Sequence, residues 1–191
     1  MKLVDKMKDE NLGLAILYNF TKGYGHVPMS VYDVVLPFLY HDGFRNHLFE
    51  GVEVEEALTK CVQEDASFIQ NILDTIEKDK EMTSRALGIC LLNKYLSFEF
   101  EDNEMKGIYH ESSILDINEA INLGKFFSGK SYEDILTDKG YVDDRTKSYT
   151  NYTLNKYRKE KEENQVVPGD RPYVISPEEF DELADYNTIS L

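Results

Sequence analysis

The sequence predicts a mainly α fold carrying a small β-hairpin, of the α+β class, and three observations predict it. Apolar residues recur at spacings of three and four through most of the first 140 positions, the period of helices that bury one face. That period gives way once to alternation, where Leu96, Phe98 and Phe100 interleave with Ser97, Glu99 and Glu101 as in a half-buried strand. Past Tyr141 both periods fade into a polar run rich in Tyr, Lys and Glu. The reading is a helical globular domain over 1–140 with its hairpin near 95–111, then a polar, aromatic-containing C-terminal arm over 141–191 with a short helix near 177–185.

The first helix, capped by Asp9 or Asn11, runs through Leu14, Leu17, Tyr18 and Phe20 and stops at Lys22-Gly23-Tyr24-Gly25, where glycine supplies a left-handed end. After a crossover through His26 to Met29, Ser30 caps a second helix over 31–40 that is apolar almost all round and therefore central. Pro37 lies too deep for a first-turn proline, so that helix kinks or consists of two short pieces. A short turn holding Phe44, Arg45 and Leu48 follows His41-Asp42-Gly43. Val54, Ala57, Leu58, Cys61 and Val62 then recur at helical spacing until Asp65, which falls on the same stripe and is read as the cap of a new helix carrying Phe68 to Ile76. A separate helix from Met82 to Leu91 leads into the alternating strand, which turns at Asp102-Asn103-Glu104 and returns from Met105 to Glu111. A helix followed by a hairpin is how a winged-helix unit ends. Asp116 caps a helix over 117–127, Ser131 a short one over 132–137, and Ser176-Pro177-Glu178 opens the small helix of the arm after an extended stretch from Val166 to Pro172.

Composition narrows the function classes. Asp and Glu number 36 against 21 Lys and Arg, a formal net charge of -15, which opposes autonomous binding to a phosphate backbone because such affinity comes from basic side chains. No apolar run approaches the roughly 18 residues of a membrane span, and Met1 to Lys6 lacks the apolar stretch of a secretory leader, so a cytoplasmic location is expected. Cys61 and Cys90, both on apolar helical stripes, are expected as reduced core residues rather than a disulfide framework.

No catalytic constellation emerges, and neither an enzyme nor a cofactor is expected. Gly23-Tyr24-Gly25 lacks the following Lys-Ser/Thr of a phosphate loop. His41, Asp42 and His47 stand close enough to ligate a metal with a distant acid, yet they are not the i, i+4 pair that presents two imidazoles on one helix face, and no metal is expected. Glu99 and Glu101 share a strand face as any solvated pair would. The arm carries aromatic anchors in a stretch too polar for a core of its own, among them Tyr152, Tyr157, Tyr173 and Phe180, suited either to a partner's pocket or to wrapping their own domain. Its one basic cluster, Lys156 to Lys161, is followed at once by Glu162-Glu163.

A short order of features resembles a known family. An Asn-led helix from Asn11-Leu12-Gly13-Leu14-Ala15 ends in Phe20-Thr21-Lys22-Gly23-Tyr24; a crossover holds Pro28-Met29; a very apolar helix ends in Leu36-Pro37 with Phe38, Leu39 and His41; Arg45 follows, and Arg85-Ala86-Leu87 precedes the hairpin. This looks like the middle component of bacterial three-component ABC systems, the group that includes the accessory subunit of Lamassu-type phage defence. The resemblance implies a non-catalytic subunit that joins an SMC-like ATPase to a toxic effector, often a nuclease, and keeps it inactive until foreign DNA is sensed. DNA would be met only through the complex, and no membrane is involved. Under it, Tyr24 and Arg45 become structural or interface positions and the arm a second contact. The competing reading is a winged-helix transcription regulator with residues 82–93 as recognition helix, although Arg85 and Lys94 alone would serve DNA there. A third is a small enzyme built on His41, Asp42 and His47.

Overall fold

The computed structural model describes residues 10–138 and Val142. Among them are seven α-helices and a three-stranded antiparallel sheet, in the order α1 (Glu10–Tyr24), β1 (Val27–Pro28), a 3-10 turn (Met29–Val31), α2 (Tyr32–Tyr40), α3 (Asp42–Phe49), α4 (Val54–Glu64), α5 (Phe68–Leu92), β2 (Leu96–Glu101), β3 (Glu104–Tyr109), α6 (Asn118–Phe127) and α7 (Tyr132–Thr137). The expected class, mainly helical with a small hairpin, is the observed one. None of these helices is long and apolar enough to cross a membrane.

The central helix is α2, whose residues from Val34 to Leu39 are all buried. Phe38 sits at the middle of the core, its ring 5.8 Å from Phe44, 6.0 Å from Phe68 and 5.5 Å from Phe127, so that one side chain ties α2 to α3, α5 and α6. Ser30 does not cap this helix. It lies within the 3-10 turn, and Val31 occupies the cap position without a side-chain bond. Pro37 neither splits nor ends α2, because burial on every side holds the helix together where its missing N–H alone would weaken it.

Asn11 lies within α1 rather than capping it. The stop at the far end is Gly25 (φ +98), whose N–H donates to Thr21 O at 2.8 Å; Gly23 has a different task. A Cβ on Gly23 would lie 2.1 Å from Ile121 O, and one on Gly124 would lie 2.3 Å from Phe20 O. The two glycines face each other where α1 crosses α6, and the backbones touch through them.

The two helices expected over 68–76 and 82–91 are one, the 25-residue α5. Glu77 to Glu81 between them contains no Gly or Pro, so nothing breaks the i→i-4 ladder. Asp65 does mark the junction: its carboxylate accepts from Ser67 N at 2.9 Å and from Asn71 Nδ2 at 3.0 Å, while its own backbone ends α4. Those bonds, the Ser67 hydroxyl foremost, hold the Asp65 carboxyl below its usual range. The helix expected as a short turn after Gly43 is α3, capped by His41, whose Nδ1 accepts from Phe44 N at 3.5 Å.

At its far end α5 closes with a Schellman motif built on a lysine. Lys94 adopts φ +58, Lys94 N donates to Leu91 O at 3.0 Å, and Tyr95 N donates to Cys90 O at 2.9 Å. The chain then enters β2 directly. Asp102 (φ +53) and Asn103 (φ +63) form a two-residue turn with both central residues left-handed, the geometry that matches strand twist in tight hairpins. The sheet order is β1-β3-β2, with Val27 opposite Gly107 and Phe98 opposite Gly107 on the other side. Strand β1 was not expected. Two residues carry no readable period, and Pro28 fits only because it lies on an edge.

Sheet and helices are joined by one polar chain inside the core. Tyr32, wholly buried, shares a 2.8 Å hydrogen bond with Thr21 Oγ1, which donates to Leu17 O at 2.7 Å. The Tyr32 hydroxyl also stands 2.2 Å from where a Cβ on Gly107 would be, so the strand can lie this close only with glycine there.

Candidate interaction surface

Tyr24 is 8 % exposed. Its ring packs on Phe20 at 5.7 Å, its hydroxyl donates to Lys130 O at 2.7 Å, and its own carbonyl accepts from Ser128 Oγ at 2.9 Å, so it ties the end of α1 to the α6–α7 connection. Burial pushes its phenol upward. Arg45 is equally buried and pairs with the exposed Asp42 one helical turn back. Both side chains shape the fold beneath the surface. Tyr152, Tyr157, Tyr173 and Phe180, the basic cluster of 156–161 and the helix near 177–185 lie outside the described residues.

His41, Asp42 and His47 do not converge. His41 turns inward, its ring edge-on to Phe68 at 4.7 Å, and burial holds its imidazole below the ordinary value of 6.5 despite the nearby carboxylates of Asp65 and Asp42. His47 instead meets Glu64 at 3.2 Å. Among the described residues no three His, Cys, Asp or Glu side chains are placed to hold a metal ion together. Cys61 and Cys90 are buried free thiols, pushed up to about 11 and about 12 by desolvation, the reverse of what a nucleophilic cysteine needs.

Several polar residues are buried without a signal of their own in the sequence. Asn19, fully buried, donates from Nδ2 to Ala15 O and to Leu115 O, both at 2.9 Å, and so fastens the loop after the hairpin to α1. Asp79 and Thr83 are buried on the inner stripe of α5. Their spacing after Ile72 and Ile76 would have revealed them, had the helix been read as continuous.

What remains on the surface is distinctive at the hairpin. Phe100 is 73 % and Met105 47 % exposed, directly opposite each other across β2 and β3. Glu99, Glu101 and Glu104 lie on the other face of the hairpin, and Asp102 in its turn. Lys106 is already engaged by Asp102 at 2.8 Å and Glu101 at 3.7 Å.

Comparison with known families decides the identity. Residues 12–138 match the model of the ABC-three component (ABC-3C) system Middle Component 3. The chain belongs to this family. The match begins in the first turn of α1 and ends just after α7, so it spans nearly all the described residues. No significant match exists among curated proteins or solved structures. A middle component is an accessory subunit of a multi-component ABC system and has protein partners, an ATPase among them.

Proposed function

We propose that this middle component is a non-catalytic adaptor in an anti-phage defence complex of the Lamassu type. It bridges an SMC-like ATPase and an effector, a nuclease, and restrains the effector until foreign DNA is sensed. The observation that carries this reading is the family match across the whole described fold. The acidic charge supports it, since a subunit with net charge -15 reaches DNA through its partners rather than alone. So do, among the described residues, His41 packed edge-on to Phe68 and the two desolvated thiols, whose surroundings do not suit a nucleophile.

Co-purification of the tagged full-length chain from its native host, with the captured proteins identified by mass spectrometry, tests it. An SMC-like ATPase and a nuclease recovered in amounts comparable to the bait are expected, whereas the bait alone would refute the adaptor. Restraint predicts that cells expressing ATPase and effector without this chain lose viability before infection.

One observation favours a second reading, a DNA-binding winged helix. A long helix enters a hairpin whose β3 also pairs with an earlier strand, the sheet order of that motif. The hairpin's acids weigh against DNA. Duplex DNA bound by the purified chain at physiological salt would favour this regulator.

A further inference from the structure

The two edges of the sheet differ. In the order β1-β3-β2 one edge is β1, two residues long with Pro28 in it. The other is β2, six residues without Pro or Gly, in unbroken register with β3 from Leu96 opposite Tyr109 to Glu101 opposite Glu104. Shortness and proline protect the first edge from further pairing, and β2 has neither. His110 N donates to Tyr95 O at 2.8 Å, so these two residues form a hydrogen-bonded pair of the antiparallel ladder. Such pairs alternate along a strand, which commits Ser97, Glu99 and Glu101 to β3 and turns the N–H and C=O of Leu96, Phe98 and Phe100 away from it. On β3 the outward-turned Gly107 meets Val27 of β1; among the described residues no strand pairs with the outward side of β2.

Strand geometry dictates what a fourth strand beside β2 would carry. Phe98 and Phe100 lie on the face of Tyr32, and Glu99 and Glu101 on the opposite face. Residues of an added strand stand alternately beside these two sets, so apolar side chains fit next to Phe98 and Phe100, and Lys or Arg next to Glu99 and Glu101. Glu99 would take a non-hydrogen-bonded position in the new ladder, where side chains approach most closely. The base opposite it in the present sheet, Lys106, is already engaged by Asp102 at 2.8 Å and Glu101 at 3.7 Å. A second copy pairing through the same edge would instead bring Glu99 and Glu101 of both copies onto one face, between chains of net charge -15. We propose that β2 is a docking edge, to which an extended segment of a protein partner, alternating apolar residues with Lys or Arg, adds as a fourth strand. Backbone hydrogen bonds hold such a segment and its alternation selects it.

The proposal needs a protein partner, which a middle component has, and does not depend on the adaptor role. Amide hydrogen exchange of the full-length chain, followed by NMR, tests it with a synthetic peptide that alternates valine and lysine, and with a valine–glutamate peptide as control. In the free chain the amides of Ser97 and Glu99 should exchange slowly and those of Phe98 and Phe100 fast. The valine–lysine peptide at millimolar concentration should slow Phe98 and Phe100 at least fivefold, and the valine–glutamate peptide should not. Phe100→Pro removes an outward N–H without touching the ladder to β3, whereas Phe100→Ala removes the ring and keeps the N–H. F100P should bind the peptide at least fivefold more weakly than F100A, with slow exchange at Ser97 and Glu99 in both showing that the hairpin is formed. Slow exchange of Phe98 and Phe100 in the free chain would mean that the edge is already covered, by its own chain or by a second copy, and would overturn the proposal. Exchange unchanged by the valine–lysine peptide, or slowed equally by both peptides, would also overturn it. None of these results bears on the adaptor role, which co-purification tests separately.

Discussion

Three glycines in three helices should answer the same substitution in opposite ways. At Gly124 of α6 a methyl group would fall 2.3 Å from Phe20 O and 2.8 Å from Tyr24 N, where ordinary contact begins near 3.4 Å. These neighbours are backbone atoms of α1 and cannot turn aside, so the helices must part by about an ångström, the overpacking that typically costs ~1–3 kcal/mol. The buried Ala120, Leu123 and Phe127 would loosen with them, which places the cost near the upper end. Alanine returns about 0.5–1 kcal/mol through its better helix propensity, leaving a net loss of about 2 kcal/mol for Gly124→Ala. Gly23→Ala meets Ile121 O at 2.1 Å and should lose as much, although the double variant will not be additive because both act at one crossing. At Gly88 of α5 a Cβ meets nothing within 4 Å, so the propensity gain of about 0.5–1 kcal/mol stands alone. Calorimetric melting of the full chain should therefore show G124A about 8 °C below wild type and G88A about 2–4 °C above it. A G124A protein melting with wild type or above it would refute the backbone contact between α1 and α6.

Asn19→Ala removes the tie to the Leu115 carbonyl; a loss of about 0.5–1.5 kcal/mol is expected in urea unfolding, with faster amide exchange in the 110–117 loop. His41 is held below its ordinary value of 6.5 by burial, so the unfolded chain takes up its proton first as pH falls. The stability it contributes is full above that value and is lost as pH falls from there towards the lower folded value; His41→Asn, which keeps a capping oxygen, should show a smaller drop in urea midpoint between pH 7.5 and 5.5. Cys61 and Cys90 should resist thiol reagents in the native protein and react only on unfolding, which a colorimetric thiol count with and without denaturant measures.

The elements with a long apolar period were legible in the sequence, and so was the place where the period changed. α2 was recognisably central because it is apolar on every side, and the hairpin announced itself by alternation bounded by Asp102-Asn103. Features that depend on contacts between distant residues were not. Gly23 looks like a helix stop until Gly124 is seen opposite it, and Gly107 looks like a weak strand residue until Tyr32 is seen beneath it. β1 is invisible because its two residues are strand only by pairing with β3. α5 reads as two helices because polar Asp79 and Thr83 interrupt its apolar stripe, although Glu77 to Glu81 favour a helix and both residues are buried. At the surface the balance reverses: alternation makes Phe100 look like a core residue, and only the structure shows it exposed beyond the Phe98–Tyr32 contact. Tyr24 and Arg45, singled out as structural or interface positions, lie beneath the surface and hold it in shape.

The central claim is that this middle component joins the ATPase of its system to the effector. Co-expression of the three subunits, with the mass of the purified assembly determined by native mass spectrometry, tests it most directly. The account predicts one complex containing all three, and separate ATPase and effector when this chain is omitted. An ATPase–effector complex that forms without it, or a middle component that stays alone in the presence of both, would contradict the account.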